Sequence, residues 1–173
     1  MSVRIVVMGP SGSGKSTVGR ALAEALDARF VDGDDLHPLT SVDKMAAGVP
    51  LDDEDRLPWL RVVGETLRAH DRMVIACSAL RRRYREAIRA GAPEAFFAEL
   101  VVDPAVLAAR MRAREDHFMP ASLLDSQLAA LEPLEGDERG VRVEATRNPA
   151  GEVDAIVTAW RDEERRRGDQ SLR

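Results

Sequence analysis

Gly9-Pro10-Ser11-Gly12-Ser13-Gly14-Lys15-Ser16 satisfies the pattern G-x-x-x-x-G-K-[ST] at every fixed position. The residues before it, Ile5–Met8, read as a buried strand. After it, Val18, Leu22, Ala25 and Leu26 recur at i, i+4, i+7 and i+8, one face of a helix. A glycine loop between an apolar strand and an amphipathic helix is the setting in which this pattern holds phosphate. Gly9, Gly12 and Gly14 let backbone N–H groups, including those of Ser11 and Ser13, turn inward as an anion nest. The helix that starts here adds its unpaired N–H groups and its dipole. Lys15 can reach β- and γ-phosphates, Ser16 can ligate Mg²⁺, and Thr17 can bond the α-phosphate. ATP or GTP is the expected ligand class.

Size and composition narrow the class. The chain has 173 residues, 45% hydrophobic and 32% charged, which suits one folded domain with its own core. A lone cysteine, Cys77, excludes a disulfide framework and a cysteine-based zinc site. No apolar run reaches the roughly 18 residues of a membrane span. Met1 leads straight into Val3–Met8 and the glycine loop, with no signal-peptide pattern, so no membrane partner and a cytoplasmic location are expected. A net charge of −5 disfavours a dedicated nucleic-acid binder. Lysine occurs only at Lys15 and Lys44; every other strong base is arginine. Coding bias explains the skew, but both lysines lie in segments that look chemical on other grounds.

Short apolar runs alternate with helix-period stretches along the whole chain. Strands are expected at Ile5–Met8, Ala28–Val31, Met73–Cys77, Phe96–Val102 and Val141–Ala145. Helices are expected around Leu60–Leu67, Tyr84–Ala90, Pro104–Arg114, Leu124–Leu131 and Val153–Trp160. This alternation predicts an α/β fold, a parallel sheet covered on both faces. Residues 1–160 read as one domain. Residues 161–173 read as a charged tail that frays into solvent. No N-K-x-D guanine motif is present, and large transporter ATPases need more chain, which leaves a small-molecule phosphotransferase.

The second strand runs into Asp32-Gly33-Asp34-Asp35-Leu36-His37-Pro38. Strand C-termini in such sheets face the ligand crevice. Phosphoryl transfer to a hydroxyl needs one carboxylate near Mg²⁺ and one to take the proton. Asp32 and Asp34, two apart on an extended stretch, can share that work; the plain alternative is an acidic turn with Asp35 as a cap. His37, before proline, is a turn residue bordering the cleft. Farther on, Lys44 and Arg56 sit among acids. They either hold a substrate carboxylate or form surface pairs such as Asp52–Arg56.

Taken together, DGDDLHP, KMAAGVPL, DDEDRLPWL, CSALRRRYR and RxxHF leading into LLDSQLAALE resemble the bacterial gluconokinase family. The resemblance runs from about Val3 to Ala159. It implies the nucleoside-monophosphate-kinase-like P-loop fold, three layers around a five-stranded parallel sheet in the order 2-3-1-4-5. It implies transfer of the ATP γ-phosphate to the 6-hydroxyl of D-gluconate with Mg²⁺, giving 6-phosphogluconate for the pentose phosphate route. It implies a helical substrate-binding segment at about 36–70, a lid at about 114–122, and a homodimer. Lys15, Asp34 and Arg114 become the catalytic group, with Ser16 and Asp32 at the metal. Asp34, His37, Lys44, Arg56 and Ser78 become the acceptor side. Ser41 stands where the family commonly has asparagine, which bears on selectivity among sugar acids.

Arg81-Arg82-Arg83-Tyr84-Arg85 is the most basic run. On a helix these residues spread over all faces, so Arg82 or Arg83, and not all of them, would face an anionic substrate. Arg110 and Arg114 share a helix face and resemble lid arginines over ATP. Thr146-Arg147-Asn148-Pro149 resembles the adenine-packing loop, with Pro149 against the base. The competing readings are a shikimate-kinase-like enzyme and a nucleotide-gated RNA-binding module. The first normally carries a glycine-rich turn where this chain has Cys77-Ser78-Ala79.

Overall fold

The computed structural model of the chain describes residues 1–113 and 121–170, apart from the side chains of Ala121 and Ser122. Strand β1 (Val3–Met8) feeds the glycine loop and helix α1 (Lys15–Ala25). Strand β2 (Arg29–Asp32) runs into a 3-10 turn (Gly33–Leu36), then α2 (Leu39–Ala46) and α3 (Asp53–Arg68). β3 (Arg72–Ala76), α4 (Arg82–Gly91), β4 (Phe96–Val101) and α5 (Pro104–Ala113) follow. α6 (Ala121–Ala130), β5 (Gly140–Glu144) and α7 (Pro149–Gln170) complete the described chain.

The five strands form one sheet in the order β2-β3-β1-β4-β5, and every pairing is parallel. Side chains of β1 alternate between two cores, as a sheet buried on both faces requires. Val6 and Met8 join Leu60, Val63, Leu67 and Ile88 of α3 and α4. Ile5 and Val7 join Val18, Leu22, Ile156 and Trp160 of α1 and α7. Since the strands run one way, Met8, Asp32, Ala76, Val101 and Glu144 end at a common edge, where α/β sheets bind ligands. No helix among the described residues is long and apolar enough to cross a membrane.

The tail expectation needs correction. α7 continues through the charged segment to Gln170 instead of fraying from Arg161. Arg139, ahead of β5, bonds Glu164 and lies near Glu163. Pairs at i, i+3, Arg165–Asp162 and Arg166–Glu163, add local support. Segments that are polar all round hold as helices when such pairs are available.

One buried ion pair ties α4 to the segment ahead of β5. The side chains of Arg85 and Glu138 are 0% and 1% exposed and meet in a bidentate pair, at 2.7 and 2.8 Å. A second arginine, Arg89, reaches the same carboxylate at 2.9 Å. Burial by itself would raise the Glu138 carboxyl, but the bonds from Arg85 and Arg89 outweigh it and hold it down at about 2. A carboxylate depressed in this way stabilises the fold above its ordinary value of 4.5, and that contribution is lost as pH falls from there through about 2. Glu138→Gln leaves Arg85 buried without its counter-charge and is expected to cost about 3–5 kcal/mol at neutral pH. Urea unfolding measures it, and the variant should lose less stability than the parent on going from pH 4.5 to pH 2.

Candidate active site

The glycine loop is built to leave donors open. Gly14 caps α1 with φ 93°, in the left-handed region that favours glycine, and no side chain bonds the first turn. The N–H groups there point at whatever occupies the loop. Ser13 Oγ is buried without a hydrogen-bond partner among the described residues, a donor that a phosphate oxygen would satisfy. Lys15 Nζ donates to Pro10 O at 3.0 Å, which folds the lysine back over the loop. Thr17 is exposed at the start of α1. The loop is also held from outside. Gly9 N donates to Ser78 O at 3.3 Å, Arg110 donates to Gly12 O at 3.1 Å, and Ser11 N donates to Gln127 Oε1 at 2.7 Å.

The tip of β2 meets this loop. Ser16 Oγ donates to Asp32 Oδ2 at 2.8 Å, and Asp34 N donates to Asp32 Oδ1 at 3.1 Å. Asp32, not Asp35, is the cap. The segment is therefore a 3-10 turn and not the extended stretch expected from the sequence, because a carboxylate two residues before an N–H favours a turn over continued strand. Gly33 is required here: a Cβ would lie 2.6 Å from Ala76 O. Asp34 shares its surroundings with both sides of the crevice. Burial raises its pKa, Asp32 raises it further, and Lys15 and His37 pull it back. Burial lowers the pKa of His37, helped by Arg56 and opposed by Asp34.

A cationic wall lies beside the turn. Arg56 Nε donates to Leu51 O at 3.2 Å, and the guanidinium lies 5.6 Å from the centre of the Tyr84 ring. Arg83 lies at the same distance from that ring and pairs with Asp53 at 2.6 Å, while Tyr84 OH donates to Asp53 at 2.7 Å. The Asp52–Arg56 pair considered from the sequence does not form, because Asp52 and Asp55 close a capping box on α3 and Lys44 bonds Asp55 at 2.6 Å. Arg82 pairs with Glu86, Glu135 and Asp137, so its charge is already matched by three carboxylates. Between Arg82 and Arg83, the ring-stacked Arg83 is the one that shares a partner ring with Arg56.

The turn after β3 is rigid. Ala79 has φ 42°, strained for a residue with a Cβ, and is 1% exposed. Arg85 binds the carbonyls of Ala79 and Leu80, and Ser78 O holds Gly9. Cys77 is buried and its thiol is pushed up to about 12 by burial, which makes it an apolar filler and no nucleophile. Ser41 is buried on α2. Pro149 opens α7 just past β5, where Thr146 Oγ accepts from Asn148 N at 3.1 Å. Arg114 and the core of the expected lid lie outside the described residues.

Among the described residues no group of three or more His, Cys, Asp or Glu could cage a metal. Ser16 and Asp32 offer two hard oxygens 2.8 Å apart. That set fits Mg²⁺, which takes one or two protein oxygens and completes its shell with phosphate and water. Sequence reasoning missed four contributors: Asp53, Trp59, Tyr84 and Gln127. Each lies inside a segment whose motif was visible, but the signal for its role is a tertiary contact.

A parallel sheet of order 2-3-1-4-5, a phosphate-binding loop after β1 and acids at the tip of β2 define a P-loop kinase that acts on a small acceptor. Comparison with known proteins narrows the class. An AAA domain family model matches residues 5–134. A thermosensitive gluconokinase of Escherichia coli is 44% identical over 140 residues, 79% of this chain and 75% of that one. A gluconokinase of Gluconobacter oxydans is 43% identical over 164 residues, 92% of each chain. The crystal structure of a gluconokinase from Sinorhizobium meliloti matches with a TM-score of 0.88 at 44% identity, over 98% of each chain. The chain belongs to the gluconokinase family.

The close packing at Gly33 is testable. Gly33→Ala is expected to cost about 1–3 kcal/mol in urea unfolding, because the new methyl meets a backbone carbonyl. Gly136→Ala, where a Cβ meets nothing within 4 Å, should stay within about 0.5 kcal/mol of the parent.

Proposed function

We propose that this chain transfers the γ-phosphate of ATP to the 6-hydroxyl of D-gluconate, giving ADP and 6-phospho-D-gluconate. The observation that carries the reading is the pair of bonds at Asp32, which joins the phosphate loop to the turn bearing Asp34. Family membership supplies the acceptor.

The residues divide the reaction between them. Amides of Gly9–Thr17 and the Lys15 ammonium hold the β- and γ-phosphates and match the charge that builds on the leaving oxygen. Ser16 and Asp32 would hold Mg²⁺, which neutralises phosphate charge when bound. Asp34 orients the acceptor hydroxyl and takes its proton as the O6–Pγ bond forms and the bond from Pγ to the β–γ bridging oxygen breaks. The raised pKa of Asp34 strengthens it as a base. Arg56 and Arg83, both against Tyr84, suit the gluconate carboxylate, with His37, Lys44 and Ser78 toward the hydroxyls. Asp53 already binds Arg83, so an incoming carboxylate would share or replace it. Arg110 lies against the loop at Gly12, and Arg114, from the expected lid, would join it on the transferring phosphoryl group. Pro149 would pack against adenine. The use of ATP as phosphoryl donor favours the cytoplasm.

The test is ADP release coupled to a spectroscopic readout, with gluconate, its epimers, shikimate and nucleoside monophosphates as acceptors. Gluconate is expected to dominate. Lys15→Ala and Asp34→Asn are each expected to lower kcat by at least about 100-fold. Near-parental rates in both variants would overturn the assignment of roles, and a preference for shikimate would overturn the acceptor.

A further inference from the structure

Trp59 has no part in the chemistry above, yet it lies against the turn that carries Asp34. It sits on α3 and is 4% exposed. Its indole N–H donates to Gly33 O at 2.8 Å. Its ring faces His37, with centroids 4.0 Å apart and planes within 17°. Gly33 and His37 bracket Asp34, so one buried side chain grips the turn at both ends. His37 Nδ1 is buried without a hydrogen-bond partner among the described residues, and the stack sets the plane of the imidazole. Two further restraints act on the start of the turn. Asp32 caps the start of the turn through Asp34 N, and the sheet abuts Gly33 through Ala76 O. Among the described residues, Ser78, Asp32, Arg110 and Gln127 bond the phosphate loop, and Trp59 does not.

We infer that Trp59 is a positioning residue for the phosphoryl acceptor: it fixes the Gly33–His37 turn so that Asp34 and His37 meet the acceptor in one geometry. The inference rests on the proposed function only for the identity of that acceptor. A reacting group displaced by about an ångström can lose two orders of magnitude in rate, so a residue that sets the turn acts on kcat. Its removal should leave ATP binding alone, since the loop does not depend on it.

Trp59→Phe removes the N–H donor and keeps an aromatic ring for the stack; Trp59→Leu removes both. In the phenylalanine variant kcat with gluconate is expected to fall about 10-fold or more, and further in the leucine variant. The KM for ATP should stay within about twofold in both, since uniform loss of binding is not at issue. Hydrogen exchange at the amides of 33–37 should speed up about 10-fold or more while exchange at 9–17 holds. Unchanged exchange at 33–37, or a kcat within about twofold of the parent, overturns the inference. If the parent fails to phosphorylate gluconate, the proposed function falls, and the exchange comparison still decides the role of Trp59. Should neither variant fold, the ¹⁵N spectrum of the parent decides. One of its two indole signals, assigned with Trp160→Phe, should exchange slowly in D₂O; fast exchange of the Trp59 signal overturns the inference.

Discussion

The carboxylate of Asp32 accepts from Ser16 Oγ with one oxygen and from Asp34 N with the other. Those two bonds join the phosphoryl donor's loop to the acceptor's turn. The sheet makes the arrangement necessary. β1 and β2 are not neighbours; β3 lies between them, so their tips are separated by two strand spacings, about 10 Å. The gap over β3 is the crevice, and side chains from both banks must cross it to meet. Its floor is the turn Cys77–Leu80, which Arg85 holds through the carbonyls of Ala79 and Leu80.

The same logic explains the fate of the arginines between Arg81 and Arg85. Their spacing on α4 sends them to different surroundings. Arg85 is fully buried, pairs with Glu138 ahead of β5 and holds the carbonyls of Ala79 and Leu80. Arg82 joins a cluster of carboxylates from α4 and the segment before β5. Arg83 turns to Tyr84 and Asp53 beside Arg56. Arg81, the fourth, acts on Asp53 and Tyr84 as well, so the run divides between a buried brace, an acidic cluster and the surroundings of Tyr84. A surface patch for nucleic acid would leave such charges available for phosphates.

Much of this could be read from residue order. The loop Gly9–Ser16 depends on local backbone chemistry, and the strands depend on runs of apolar residues, so both were visible, to within a residue at most strand ends. The 3-10 turn at Gly33–Leu36 was not, because alternating acids suggest an extended chain until a carboxylate is found bonded to the N–H two residues on. The continuation of α7 was hidden for a related reason: its supporting charge, Arg139, is distant in sequence. Trp59 and Gln127 gave no signal beyond their motifs, since a role made of tertiary contacts to a remote segment has no sequence period.

The central claim is that donor and acceptor groups share one crevice above β3. A crystal structure with Mg²⁺, a non-hydrolysable ATP analogue and gluconate tests it directly. The account expects the β- and γ-phosphates inside the Gly9–Thr17 loop and the 6-hydroxyl of gluconate about 2.6–3.2 Å from an Asp34 oxygen. Gluconate bound with that hydroxyl turned away, or Asp34 facing solvent while the loop holds the nucleotide, would contradict it.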